Sequence, residues 1–171
     1  MAAGEPSPWI VRFAFLVPAG GRVLDVAAGG GRHTRFFLGR GHPVTAVDRD
    51  TGGLDDLRED AGVEIVACDL EAGAPFPFGE RTFAGVVVTN YLHRPMLPDL
   101  VGAVSGSGVL LYETFARGQE RFGRPHRPEF LLGPGELLEA VRGELRVVAY
   151  EDLVLDDPPR AVQRIAAVRE P

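Results

Sequence analysis

Five short runs of Val, Ile and Leu, most of them separated by stretches with helical spacing, leave this chain few ways to fold. The runs cover residues 22–27, 43–48, 63–67, 83–89 and 109–114. They are nearly continuous in apolar character rather than alternating, as strands buried on both faces of a parallel sheet read. Between them, residues 34–40 close on Gly41 with Pro43 just beyond, a helix stop. Thr51 is placed to cap a helix that carries Leu54 and Leu57 and ends at Gly62. A short helix is expected over 98–104, and another that Pro134 opens, with Leu137, Leu138 and Val141 on one side. Strand–helix alternation of this kind predicts an α/β sandwich with right-handed crossovers. The end differs: residues 145–155 and 160–170 are two strand-like runs around Asp156-Asp157-Pro158-Pro159, with nothing helical between them. They should form an antiparallel hairpin.

A chain of 171 residues suits one domain with a real core, spanning 1–171. Within it, 1–20 reads as a covering helical segment (apolar from Trp9 to Val17) and 116–131 as a lid-like loop. The first residues lack a basic stretch and carry Glu5, so they do not read as a secretory signal. No apolar run approaches the roughly 20 residues of a membrane span. Cys68 is the lone cysteine, read as a small buried hydrophobe, and a reducing cytoplasm is the expected location. All 18 basic residues are arginine, which excludes a P-loop lysine and Schiff-base chemistry. A net charge of −6 argues against nucleic-acid binding by the whole domain. The four histidines show no metal-ligand spacing, so no metal is expected.

The first strand leads into VLDVAAGGGRHTRFF, residues 23–37, where three glycines lie between strand and helix. In an open parallel sheet that turn faces the ligand crevice. Glycine there lets the backbone take positive φ and lie against a ligand. The dinucleotide fingerprint G-x-G-x-x-G finds its first two places at Gly29 and Gly31, but its third falls on Thr34. A second pattern fits better: Asp25, Ala27, Gly29 and Gly31 give D-x-A-x-G-x-G. Here the chain resembles the class I S-adenosylmethionine-dependent methyltransferases, whose first motif is an acid followed by G-x-G-x-G; Ala27 stands at the first glycine. Within that superfamily it is most similar to small bacterial members of the tellurite-resistance and thiopurine type. Approached through PFPFGERTFAGVVVTNYLHR, the fourth strand resembles the family's as well, with Ala84 at the family's aspartate. The glycine turn and strand of GSGVLLYETF and the final hairpin extend the likeness over residues 9–169.

The resemblance implies a seven-stranded, mostly parallel Rossmann-like sheet with helices on both faces and a C-terminal antiparallel hairpin. It implies S-adenosylmethionine as cofactor, S-adenosylhomocysteine as product, and methyl transfer to a small-molecule acceptor by in-line displacement. Asp48 ends the second strand, where a carboxylate takes ribose hydroxyls; Arg49 follows it. Asp69 ends the third strand and would meet the adenine amino group, with the Leu70 amide on a ring nitrogen. Asn90 would reach the donor's amino group and Arg32 its carboxylate. On the acceptor side stand Tyr91, His93, a base candidate by its ordinary pKa, and Tyr112. By strand alternation, either Tyr112 or Glu113 should face the cleft.

Arg124, His126 and Arg127 belong to a basic loop on an acidic protein, which points to an anionic acceptor. Glu129 and Phe130 are placed to anchor that loop. Two readings compete: an NAD-type nucleotide sensor, and an inactive methyltransferase fold that only binds. Nucleic acid is disfavoured as acceptor, because residues 90–93 read NYLH where adenine-N6 methyltransferases carry Asp/Asn-Pro-Pro-Tyr/Phe. The short acceptor-covering elements suit either an open cleft or a homodimer whose second subunit completes it.

Overall fold

Seven strands form one sheet in the order β3-β2-β1-β4-β5-β7-β6. The structure is a computed structural model and describes residues 4–171. The strands are β1 (Val23–Val26), β2 (Val44–Asp48), β3 (Val63–Ala67), β4 (Phe83–Thr89), β5 (Val104–Phe115), β6 (Arg146–Asp156) and β7 (Pro159–Val168). The first five are parallel; β7 runs antiparallel to both β5 and β6. After β1 the chain builds outward through β2 and β3, then returns to the other side of β1 with β4. The strand order therefore reverses between β1 and β4, where a crevice opens at the carboxyl ends.

Alternation sorts the strand side chains into two layers. Leu24, Val26, Val86, Val88, Leu110, Tyr112 and Ile165 face one core, against α3 (Leu97–Gly102) and α4 (Glu136–Val141). Val23, Val87, Val109, Leu111 and Ala166 face the other, against α1 (Pro8–Phe13) and Phe37 of α2 (Arg32–Gly39). The Ser7 side chain caps α1 by accepting from the Trp9 N–H, and Pro8 takes the first helical position. Trp9 is buried, and its Nε1–H donates to the Ile165 carbonyl at 3.2 Å. A side chain the size of Leu111, buried to 0% exposure, contributes roughly 1.5–3 kcal/mol.

The sheet and hairpin match the sequence reading, and the connections depart from it. Residues 52–57 form a 3-10 run rather than an α-helix, and the Thr51 side chain does not cap it. Its hydroxyl accepts instead from Arg58 at 3.1 Å. Gly53 explains the tight path: a Cβ there would lie 2.9 Å from the Gly29 carbonyl oxygen and the Gly30 Cα. The segment is wedged against the glycine loop. β5 begins at Val104, so it absorbs the serine–glycine stretch expected to precede it and shortens the helix before it. Its register against β4 shifts between Phe83 and Gly85. Gly135, with φ of 72°, precedes α4, which starts two residues beyond Pro134. Cys68 is half-buried: it packs against the α3–α4 core on one side and lines the crevice on the other.

Candidate active site

Two cavities share Ala27 at the end of β1. One, of about 320 Å³, is lined by Ala27, Asp48, Arg49, Cys68, Asp69, Leu70, Glu71, Tyr91 and Phe130. The other, of about 260 Å³, runs over Ala27–Gly30 and is bounded by Gly4, Arg32, His33, Thr89 and Asn90. Together they form one elongated crevice across the ends of β1 to β4. A Cβ built on Gly29 or Gly30 would meet no atom within 4 Å, so this backbone faces open space.

The acids shape the loop before any ligand arrives. Asp48 Oδ2 accepts from the Gly29 N–H at 2.8 Å and Oδ1 from the Asp50 N–H at 2.9 Å. Asp69 Oδ1 accepts from the Glu71 N–H at 2.9 Å. Each carboxylate keeps acceptor capacity toward the crevice. Arg35 donates to the Gly30 carbonyl and to Asp56, which clamps the loop from outside.

Asp25 does not reach the crevice. It is 3% exposed, lies beneath the loop, and accepts at 2.6 Å from the Thr34 hydroxyl. Burial pushes its carboxyl up to about 6, against the hydrogen bonds from Thr34. Asp25 is therefore a brace between β1 and the start of α2, not a ligand contact. Gly31 is also a packing residue. It has φ of 75°, and a Cβ there would lie 2.4 Å from Leu54 Cδ2. Thr34, the residue that spoils the dinucleotide fingerprint, is the partner that a buried Asp25 requires.

His33 was missed in the sequence. It is buried; its Nε2 accepts from the Ser7 N–H at 3.0 Å, and its Nδ1 lies 3.4 Å from the Thr89 hydroxyl. Burial, then the Arg32 charge, push its pKa down to about 4, so the ring is neutral and ties the N-terminal segment to α2. A histidine in the first turn of a helix that follows a glycine loop carried no signal beyond its position.

Just past β4, Asn90 holds φ of 53° and fronts three cavities. Tyr91 lines both the Asp48–Asp69 cavity and a neighbouring one of about 300 Å³. Its buried hydroxyl is, among the described residues, the one buried side-chain polar atom without a partner. Burial, then the Glu71 charge, raise its pKa. Asn90, Tyr91 and Leu92 line that neighbouring cavity and His93 does not; its carbonyl instead accepts from the Met96 N–H. Tyr112 is also misplaced for catalysis. It is 1% exposed and donates its hydroxyl to the Tyr91 carbonyl at 2.7 Å. Glu113 is buried as well, held by the Ser7 hydroxyl at 2.9 Å and Arg164 at 3.0 Å, and borders a cavity beneath the N-terminal segment.

The loop over 116–131 brings Arg124, His126 and Arg127 around a recess of about 550 Å³, together with Pro125 and Phe130. The side chains of Glu129 and Phe130 do not anchor it. Arg94 does, by donating to the carbonyls of Glu129 at 2.9 Å and Leu131 at 2.8 Å. Arg94 is held in turn by both carboxylate oxygens of Glu136, at 2.6 and 3.0 Å. Gln119, buried, ties the other end by accepting from the Ala161 N–H at 2.9 Å. Among the described residues no group of His, Cys, Asp and Glu is arranged to hold a metal ion. Among the described residues no helix is long and apolar enough to cross a membrane.

An α/β sheet with this strand order, an acid-fixed glycine loop at the switch point and acids ending β2 and β3 defines a nucleotide-type binding protein of the methyltransferase fold. Residues 23–107 match the family described as a methyltransferase domain. This match and the fold together support a class I S-adenosylmethionine-dependent methyltransferase. A search of curated proteins by sequence finds no match. Among solved structures, it is similar to 1,6-didemethyltoxoflavin N1-methyltransferase of Burkholderia thailandensis, solved with 1,6-didemethyltoxoflavin and S-adenosylhomocysteine. That match has a TM-score of 0.69 and 22% identity over 95% of this chain and 76% of the other. TehB from Haemophilus influenzae gives 0.71 and 17%, over 95% and 61%. An S-adenosylmethionine-dependent methyltransferase from Mesorhizobium loti gives 0.72 and 15%, over 93% and 96%. At these identities the likeness is one of fold.

Proposed function

We propose that the protein methylates a small molecule, with S-adenosylmethionine in the paired cavities and the acceptor between residues 90–92 and the 116–131 loop. The observation that carries this reading is the shape and polarity of the crevice. Its two ends meet at Ala27, with Asp48 and Asp69 at one end and the exposed Gly29–Gly30 backbone, Arg32 and Asn90 at the other. Asp48 would take the ribose hydroxyls on the lone pairs not used by Gly29 and Asp50. Asp69 and the Leu70 amide would take the adenine edge, with Cys68 and Leu70 as walls and Arg49 at the rim. Arg32 and Asn90 would hold the amino-acid end.

When bound, the cofactor supplies an electrophilic methyl on a sulfonium with a neutral thioether as leaving group. What the chain must supply is alignment, which is worth up to roughly 7–11 kcal/mol for well-oriented reactants. Asn90 stands where donor and acceptor cavities meet. An acceptor that arrives with a free lone pair needs no base, so the position of His93 outside the cavity is no obstacle. Arg124, His126 and Arg127 favour an acceptor that carries negative charge.

Calorimetric titration with S-adenosylhomocysteine, with NAD as control, tests the reading. The expected result is micromolar binding of the first and none of the second. Folded protein that ignores S-adenosylhomocysteine would overturn it, and binding without turnover on any acceptor would leave a binding protein of this fold.

A further inference from the structure

We infer that the acceptor is a flat aromatic or heteroaromatic ring bearing an anionic group. The ring occupies the slot between Tyr91, Leu92, Phe115, Pro125 and Phe130, and the anion rests on Arg124 and Arg127. This rests on the methyltransferase reading of the same crevice. The slot is the cavity of about 300 Å³ that adjoins the donor crevice, and three of its lining side chains are aromatic. Flat apolar walls favour a flat guest, since aromatic pairs gain from offset or edge-to-face contact beyond the area they bury.

Phe130 is the main support for this assignment. It is 40% exposed and belongs to none of the hydrophobic core clusters, yet it lines three adjoining cavities. A large ring without core neighbours normally sits on a loose loop tip. Here the backbone on either side of it is gripped: Arg94 holds the carbonyls of Glu129 and Leu131. Glu136 holds Arg94 and also accepts from the Gly133 N–H at 2.7 Å. The ring is presented to the slot in advance, which lowers the ordering cost of binding.

Charge sets the orientation. Arg124 makes no ion pair among the described residues, and the carboxylate nearest Arg127 is Glu129, 3.9 Å away with both side chains exposed. Both arginines line the recess that shares Pro125 and Phe130 with the slot. The one acid in the slot, Glu71, is on the wall shared with the donor crevice and does not line the arginine recess. An anionic group is repelled there and drawn to the arginine end, which leaves the neutral edge of the ring toward Asn90 and the donor.

The test uses protein saturated with S-adenosylhomocysteine and three small probes: anthranilate, its uncharged amide, and cyclohexanecarboxylate. Ligand-observed NMR titration gives their affinities. Anthranilate is expected to bind at least about tenfold more tightly than either other probe. In the Arg124→Gln/Arg127→Gln double variant, anthranilate should lose that advantage while the amide is unchanged. Phe130→Leu should remove the preference for a ring over cyclohexane. Equal affinity for anthranilate and its amide would overturn the anion assignment, and equal affinity for anthranilate and cyclohexanecarboxylate the ring assignment. No probe binding in cofactor-product-loaded protein would overturn both. Failure to bind S-adenosylhomocysteine at all is a separate outcome: it removes the methyltransferase reading and the acceptor site with it.

Discussion

The donor half and the lid half of the crevice are held by different kinds of contact. On the donor side, bonds from Asp48 to Asp50, Asp50 to Gly52 and Asp69 to Glu71 each span two residues. The longer bonds join neighbouring strand ends, as from Asp48 to Gly29. On the lid side the holding contacts are distant in sequence. Arg94 reaches carbonyls 35 and 37 residues away, and Gln119 reaches Ala161 across 42. Short-range turn chemistry builds a rigid floor, and long-range clamps set a wall over it. The two halves should therefore fail differently.

The largest effect is expected at the floor. In Gly31→Ala the new Cβ would lie 2.4 Å from Leu54 Cδ2 and 2.6 Å from Arg35 Nη1, at φ of 75°. Strain and displacement of the loop should cost about 3 kcal/mol or more and remove measurable S-adenosylhomocysteine binding. Urea unfolding and titration calorimetry check it. Unchanged affinity would mean that the loop's path does not govern the donor site.

The donor half also carries two buried titrating groups of opposite sense, which the lid clamp lacks. Asp25 is raised from 3.8 to about 6, so its contribution to stability is full below about pH 4 and lost as pH rises through 6. His33 is lowered from 6.5 to about 4, so its contribution is full above pH 6.5 and lost as pH falls through 4. Each is worth about 3 kcal/mol by linkage, and between pH 4 and 6 the two oppose. Stability of the parent protein should vary little across that window. Asp25→Asn should lose stability as pH falls from 6.5 to 4, and His33→Gln should lose it as pH rises from 4 to 6. Denaturant midpoints at four pH values decide the matter; three parallel curves would refute it.

The same division explains what the sequence revealed. Strand runs, the glycine loop, Asp48 and Asp69 could be read because each is a local pattern, and all of them line or border the crevice. Asp25 was read for its place in a motif, but its depth depends on how α2 crosses β1. Thr34 counted against one fingerprint and turned out to be Asp25's partner. Tyr112 faces the α3–α4 layer and Glu113 the α1 layer, both roofed over, which strand alternation alone could not decide. Arg94, His33 and Gln119 gave no signal, because their partners lie 26 to 42 residues away.

The lid clamp offers a smaller break. The Arg94–Glu136 pair is partly exposed, at 38% and 25%, so its loss is screened. Arg94→Met should cost about 1–2 kcal/mol, much of it from the carbonyls and carboxylate left unpaired. It should open residues 116–131 to limited proteolysis while S-adenosylhomocysteine still binds, weakened because Phe130 also walls the donor cavity. An unchanged cleavage rate would show that the loop is held from the Gln119 end.

The smallest effect is the sharpest probe of the floor. Ala27 joins the two donor cavities and holds φ of 53°, a left-handed conformation that costs a non-glycine residue roughly 1–2 kcal/mol. Its N-terminal neighbours are strand β1 and its C-terminal neighbour Ala28 is bonded to Val47, so the backbone has no room to relax. Ala27→Gly removes the strain but adds freedom to the unfolded chain, worth roughly 0.5–1 kcal/mol in the other direction. The net expectation is a gain of about 0.5–1 kcal/mol in unfolding free energy. Donor affinity should stay within about twofold, because the methyl group, not the backbone path, is what changes. A loss of stability would mean that the alanine side chain packs usefully against Cys68 and Asp48 and that the left-handed turn is relaxed. A gain in stability with a large loss of affinity would make that methyl group part of the donor site, a wall against which the ligand is set.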